Sequence, residues 1–334
     1  MSQKNWNAGI IRPVAVPPAG PFQDGAASGV WTLDQVSYWQ KQGLWPVAGN
    51  TLQRALITRG NASKTIESIN IPSTGNSSLF GDLAAVLYYN TACSSSIRGV
   101  FAGGTAPSTN AIQYFTIATL GNATDFGDLS TTTQELSACS NETRGVFGGG
   151  SNDATGKTNA IQYITIASAG NTSDFGDLWG ALRGLAAFAS SSRGVFGGGD
   201  IVNTKQNVIN YITIASTGNS SDFGDLTQAR RWISGTSNAT RGIFAGGDNY
   251  GTLNTIDYIT IASTGNATDF GDLAVATDNI GATASQTRGI FAGGWIINVI
   301  QYVTISSAGN ATDFGDLTGT AFTSAACSNV HGGL

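Results

Sequence analysis

The side chains able to carry chemistry recur in register along this chain. Arg54, Arg98, Arg144, Arg193, Arg241 and Arg288 repeat, as do Asp82, Asp128, Asp177, Asp225, Asp272 and Asp316. A lone buried charge is costly, so the simplest use of two such series is a partly buried Arg–Asp pair in every unit. That reading makes Arg98, Asp128, Arg144, Asp177, Arg193 and Asp225 members of a structural Arg/Asp repeat. A second aspartate at Asp125, Asp174, Asp222, Asp269 and Asp313 completes an Asp-x-Gly-Asp pattern. Calcium needs more oxygen ligands at loop spacing than this offers, so no metal is expected. Asn76, Asn122, Asn171, Asn219, Asn266 and Asn310 each open an Asn-x-Ser/Thr triplet after a glycine, where turn chemistry accounts for them. One histidine, His331, stands near the end and is placed in a closing strand. No Ser-His-Asp set can be built around it, so the expectation is no catalytic residue, no cofactor and no enzyme. Cys93, Cys139 and Cys327 share one repeat position, each ten residues after a leucine, which points to small buried side chains and not to a disulfide framework.

The elements that hold these residues follow from the period. Phe-Gly-Asp-Leu begins at Phe80, Phe126, Phe175, Phe223, Phe270 and Phe314, at spacings of 46, 49, 48, 47 and 44. A period of that length marks a repeat architecture whose units need neighbours to bury their faces. Between Leu129 and Leu178 lie a short small-sided segment (Ser137–Ser140), an apolar run ending in glycines (Arg144–Gly150) and an alternating segment (Asn159–Ala167). A Gly-Asn turn and Ser173–Leu178 close the unit. Four short strands with glycine punctuation fit one propeller blade. Ala92, Ala138, Ala187, Gly235, Ala282 and Ala326 mark the crowded strand nearest the axis, while Tyr114, Tyr163, Tyr211, Tyr258 and Tyr302 fall on the third strand, with Ser68 in the first unit.

Gly-Gly pairs end the second strand at Gly103, Gly149, Gly198, Gly246 and Gly293, a tyrosine marks the third strand, and an aromatic and leucine end the fourth. This pattern resembles kelch repeats, although Phe stands where those usually carry Trp. Arg54–Gly60 aligns with Arg98–Gly104, so the first unit begins at its second strand, and Ser324–Asn329 is a first strand without followers. The expected fold is therefore all-β: a six-bladed kelch-like β-propeller over residues 51–334, with four-stranded blades closed by the C-terminal strand pairing with the N-terminal blade.

Length variation is concentrated between strands two and three, and the segments from strand four to the next strand one also differ between units. In an up-and-down blade both emerge on one face, and the near-constant Gly-Asn turns emerge on the other. The variable face is the expected binding surface. Tyr88, Tyr89, Trp179, Arg183, Arg230, Arg231, Trp232, Tyr250 and Trp295 are its candidate contact residues, being types that supply stacking and forked hydrogen bonds.

Residues 1–50 do not repeat and read as a docking arm. Ile11–Pro21 is proline-rich and extended, and Thr32-Leu-Asp-Gln35 is a capping box opening one short helix over about residues 33–42. Trp6, Trp31, Trp39 and Trp45 lie in this arm. Ala27–Leu33 followed by Gly43–Pro46 looks like the leader of virion structural proteins of tailed, cyanophage-like bacteriophages. That resemblance implies a tail, fibre or capsid-surface component assembled in the host cytoplasm. It further implies multiple copies per particle, held to other virion proteins through residues 1–50 and facing a host surface glycan or protein. A cellular kelch-type scaffold or adaptor binding a peptide or protein is the alternative. Charged residues are only 11% and net charge is −5, so no basic field gathers phosphates and nucleic-acid binding is not expected. No apolar run approaches a membrane span and no secretory signal is apparent, so no membrane insertion is expected.

Overall fold

The computed structural model describes residues 53–334, apart from 62, 107 and 153–155, together with two short antiparallel strands, Asn5–Trp6 and Gly9–Ile10. The chain divides into two compact units, Met1–Leu52 and Gln53–Leu334. Trp6 falls in the first of the short strands; the expected helix, the proline-rich stretch, Trp31, Trp39 and Trp45 lie outside the described residues.

Residues 53–334 form a six-bladed β-propeller of four-stranded antiparallel sheets. Blade three shows the plan. Ser137–Ser140 lies innermost, Arg144–Gly148 and Ala160–Thr165 follow, and Ser173–Asp177 is outermost. The innermost strands of successive blades touch one another all the way round the axis. Ring closure occurs where the sequence places it. Ala326–Ser328 pairs with Arg54–Thr58, Leu56 opposite Cys327, and so completes blade one with Thr65–Asn70 and Ser78–Asp82.

Blades pack by knobs into glycine holes. Cys327 Sγ faces Gly99, Cys93 faces Gly145, Cys139 faces Gly194, Phe188 faces Gly242 and Thr236 faces Gly289, each from the inner strand of one blade to the second strand of the next. A Cβ on Gly242 would stand 1.9 Å from the Phe188 ring. The three cysteines are thus free, buried packing residues. Burial pushes the Cys139 and Cys327 thiols up to about 12. Burial, and next the neighbouring Cys327 and Cys139, raise Cys93 well above the usual thiol value.

A second set of junction contacts lines the face that carries the Gly-Asn turns, here called the lower face. Each turn hydrogen-bonds the Phe-Gly-Asp strand of the blade before it: Gly170 N–H donates to Phe126 O at 2.7 Å and Thr172 N–H to Asp128 O at 2.9 Å. The Asn171 side chain accepts from the Asp128 amide at 3.0 Å, and Asn76, Asn122, Asn219, Asn266 and Asn310 do likewise at their junctions. The approach needs a missing side chain. A Cβ on Gly127, at φ 145°, would meet Gly170 O at 2.4 Å.

The repeated arginines work here as well, and their role corrects the sequence reading. Arg98 donates to Ile166 O at 2.9 Å, Arg144 to Ile214 O at 2.8 Å and Arg193 to Ile261 O at 2.7 Å, each reaching the carbonyl after the third strand of the next blade. Each also lies over its own blade's tyrosine, 4.3–4.6 Å from the ring of Tyr114, Tyr163 or Tyr211. Among the described residues no ion pair joins these arginines to Asp128, Asp177 or Asp225. A strand-end carbonyl left open at the junction is the nearer acceptor, and the aspartates contribute their backbone amides instead. In blade one, where Ser68 replaces tyrosine, Arg54 lies 5.4 Å from the Phe80 ring.

Candidate functional site

The opposite, upper face is where the units diverge. Isolated bridges Tyr88–Thr105, Gln134–Ser151, Arg183–Asp200 and Arg231–Asp248 tie the strand four-to-one segments that lead into blades two to five to the strand two-to-three loop of the same blade. Both kinds of variable segment therefore share one face. In blades three and four those loops become small hairpins, Ser151–Asn152 with Gly156–Lys157 and Asp200–Ile201 with Thr204–Lys205.

At the centre of this face the segments form a ring. Glu135 N–H donates to Tyr89 O at 3.0 Å, Gly184 to Glu135 at 2.9 Å, Trp232 to Gly184 at 2.6 Å, Asn279 to Trp232 at 3.0 Å and Ser324 to Asn279 at 3.0 Å. Tyr89 N–H closes the circle on Thr323 Oγ1 at 3.0 Å. Tyr89, Glu135, Trp232 and Asn279 hold left-handed backbone, φ 50–55°, as does Gly184 at 62°. The ring frames a cavity of about 110 Å³ on the propeller axis.

Side chains around this mouth divide into two sectors. Over blades three to five runs an ionic ladder. Arg183 meets Glu135 at 3.1 Å and Asp200 at 3.1 Å, Lys157 meets Asp200 at 2.6 Å, Arg231 meets Asp248 at 3.2 Å and Lys205 meets Asp248 at 3.3 Å. Burial pushes the Asp200 carboxyl upward, but Lys157 and Arg183 outweigh it and hold it below the usual carboxylate value. The Trp232 indole lies against Gly184, donates to Glu135 Oε1 at 3.1 Å and carries the Arg231 guanidinium 3.8 Å from its ring. Over the other sector Phe322 gathers Trp295 at 4.2 Å, Tyr88 at 5.8 Å and Tyr89 at 6.5 Å between ring centroids. Burial, then Glu135 and Asp278, raise the Tyr89 hydroxyl above its ordinary value. Burial likewise raises the Asp278 carboxyl.

Eight of the nine candidate residues read from sequence lie on this face. Trp179 and Trp295 are 45% and 43% exposed, and Tyr250 is 89% exposed with Lys205 Nζ 3.3 Å from its ring. Arg230 is the exception and corrects the reading. It is 0% exposed and pairs with the equally buried Asp257 at 3.0 Å. The reason is local. In blades two, three and six a buried glutamine (Gln113, Gln162, Gln301) accepts from the backbone where the preceding strand four ends. Asp257 holds that place in blade five and Glu67 in blade one, and each carboxylate has an arginine partner, Arg230 or Arg59.

Residues the sequence reading passed over are Glu135, Asn279, Phe322, Asp200, Asp248, Lys157 and Lys205. The signal was available in part. Aligning the segments 84–89, 130–135, 179–184, 227–232, 274–279 and 318–323 puts Tyr89, Glu135, Gly184, Trp232, Asn279 and Thr323 in one column of six different types. The ladder partners sit in loops of unequal length and could not be aligned.

The lower end of the axis is occupied by the chain itself. His331 lies beyond the closing strand, in a tail that crosses the channel floor. Gly333 N–H donates to His331 Nδ1 at 3.1 Å, so Nε2 carries the proton and donates to Ser94 O at 3.0 Å. Gly332 N–H donates to Ser237 O at 3.0 Å and Gln286 to His331 O at 3.1 Å, fastening the tail to blades five and six. Burial lowers the imidazole below its ordinary value, against the pull of Ser94 O and Glu142.

Among the described residues no group of three His, Cys, Asp or Glu side chains is placed to hold a metal ion, and no helix is long and apolar enough to cross a membrane. No protein-family model matches the chain, and no curated protein is similar to it at a significant level.

Proposed function

We propose that the protein is a non-enzymatic structural component of a tailed-phage virion, displaying the upper face of its propeller for recognition. The observation that carries the display role is the division of labour between faces. The lower face spends its polar groups on repeated junction contacts, whereas the upper face presents six unlike units around a central mouth. Rigid scaffolds that carry diverse loops on one side commonly bind there. The ionic ladder pins Arg183 and Arg231 without burying them fully, and the aromatic cluster holds Trp295 and Tyr88 part-exposed, both of which lower the entropy lost on contact.

The virion assignment draws on the leader-like residues 27–33 and 43–46. In this reading residues 1–50 dock on other virion proteins in several copies, and the propeller meets a host surface glycan or protein. Deleting residues 2–50 from the phage-borne gene tests it. Particles are expected to lose the protein while the isolated propeller keeps its cooperative melt. Particles that retain the truncated chain, or a wild-type chain absent from purified particles, would count against the reading.

A further inference from the structure

Three loops of the upper face set apolar side chains on backbone that such side chains seldom adopt. Val202 in blade four, Tyr250 in blade five and Ile296 in blade six hold φ of 46°, 62° and 60°. A branched or bulky residue is crowded by its own backbone there, and glycine or asparagine is the usual occupant. Blade three uses glycine, Gly156 at φ 79°. Suitable residues even stand next door. Asn203 follows Val202 in the two-residue turn of its hairpin, and Tyr250 lies between Asn249 and Gly251.

Packing within the fold does not explain the strain. Val202 is 80% exposed, Tyr250 89% and Ile296 60%, and the first two are the most exposed large apolar residues among those described. Lys205 Nζ reaches the Tyr250 ring at 3.3 Å and leaves most of it open. Two part-exposed indoles flank the tips. Trp179 stands beside the blade four hairpin, where a Cβ on its neighbour Gly180 would meet Ile201 Cδ1 at 2.9 Å, and Trp295 precedes Ile296. Costly backbone kept for side chains that face solvent marks contact residues and not core residues.

The chemistry of the tips selects the kind of partner. Valine and isoleucine offer nothing to a sugar hydroxyl, whereas single protruding apolar side chains fit hollows in a facing protein surface. Between the tips the ionic ladder turns its acids inward: the Asp200 and Glu135 side chains are 0% and 7% open, Asp248 is 14% open, and Asp278 is buried as well. Arg183 and Arg231 keep 27% and 20% of their side chains open, so the ladder shows its cations outward. We infer that the upper rim of blades four to six grips a protein, one whose surface has apolar hollows for Val202, Tyr250 and Ile296 and carboxylates between them for Arg183 and Arg231. This deepens the recognition role proposed above and rests on the upper face being the binding side.

The test measures binding of the labelled full chain to host cells that are untreated, shaved with protease or oxidised with periodate. Vesicles of equal parts phosphatidylethanolamine and phosphatidylglycerol form a further arm. Saturable binding to untreated and periodate-treated cells is expected, and its loss after shaving. The triple variant Val202→Asn, Tyr250→Gly, Ile296→Gly removes the strain together with the tips. It should melt no lower than wild type while binding at least about tenfold more weakly. Leu120→Thr removes a comparably exposed apolar residue from the lower face and should bind as wild type does. The inference falls if cells do not bind the chain, if the triple variant binds as well as wild type or melts lower, or if Leu120→Thr weakens binding equally. Binding abolished by periodate would assign the face to a glycan and binding to the vesicles would assign it to a lipid surface, and either overturns the inference. Presence in purified particles is scored separately. A chain found there that ignores host cells would leave the virion reading standing without this surface, and a chain missing there that binds through the tips would do the reverse.

Discussion

At the scale of single residues, Arg98, Arg144 and Arg193 each tie one blade to the next through a main-chain carbonyl. The six arginines were visible as a series, but their acceptors are carbonyls at the far side of a junction, which carry no sequence signature. Arg230 was misread because a basic residue in a variable segment looks exposed; the clue was Asp257 standing where blades two, three and six have glutamine. Replacing Arg230 by Met should therefore cost about 3–5 kcal/mol by stranding a buried carboxylate, and adding Asp257→Asn should recover a large part of it. Urea unfolding of the two single variants and the double variant measures that coupling. Phe188 and Gly242 form a tighter pair. Gly242→Ala should destabilise by roughly 1–3 kcal/mol or more through overpacking, and much less in a Phe188→Thr background that removes the ring. The thiols offer a chemical check of the packing. With burial holding Cys139 and Cys327 near 12 and Cys93 also raised, native protein at pH 8 should react with a thiol reagent only as fast as it unfolds.

At the scale of elements, the strand pattern was almost wholly legible, because glycine pairs, alternation and a fixed period all describe local geometry. What lay beyond reach was how strands of neighbouring blades address each other. The Gly-Asn turn reads as an ordinary turn, yet its asparagine caps the preceding blade's fourth strand at a distance of 43 residues for Asn171 and Asp128. Asn171→Ala should cost about 1 kcal/mol although the turn itself survives, and Asn171→Asp should cost less, since it keeps the acceptor oxygen. Thermal melts of both variants, with unchanged far-ultraviolet spectra, would verify that the loss lies in the junction. A larger penalty for the aspartate variant would contradict the cap.

At the scale of the whole molecule, closure and its tail set the cooperativity. A chain ending before Ala326 leaves Arg54–Thr58 an open edge, so it should lose its single sharp transition and associate through that strand. The tail beneath it adds a pH dependence whose sign follows from its geometry. His331 is neutral in the folded protein and its imidazole is lowered from the ordinary value of 6.5. The folded state thus binds fewer protons than the unfolded chain at acid pH, and stability should be complete above that value and decline as pH falls below it. His331→Gln should flatten this part of the pH–stability profile. The lower junctions do not depend on what the upper face displays: every contact described for the Gly-Asn turns and the arginines is made without a residue of the upper loops. Solvent-facing tips such as Trp179, Val202 and Tyr250 are therefore the places where chemistry can change from one binding target to another. The ring segments and Arg230 lack that licence, because they also stitch or fill the wheel on which they sit.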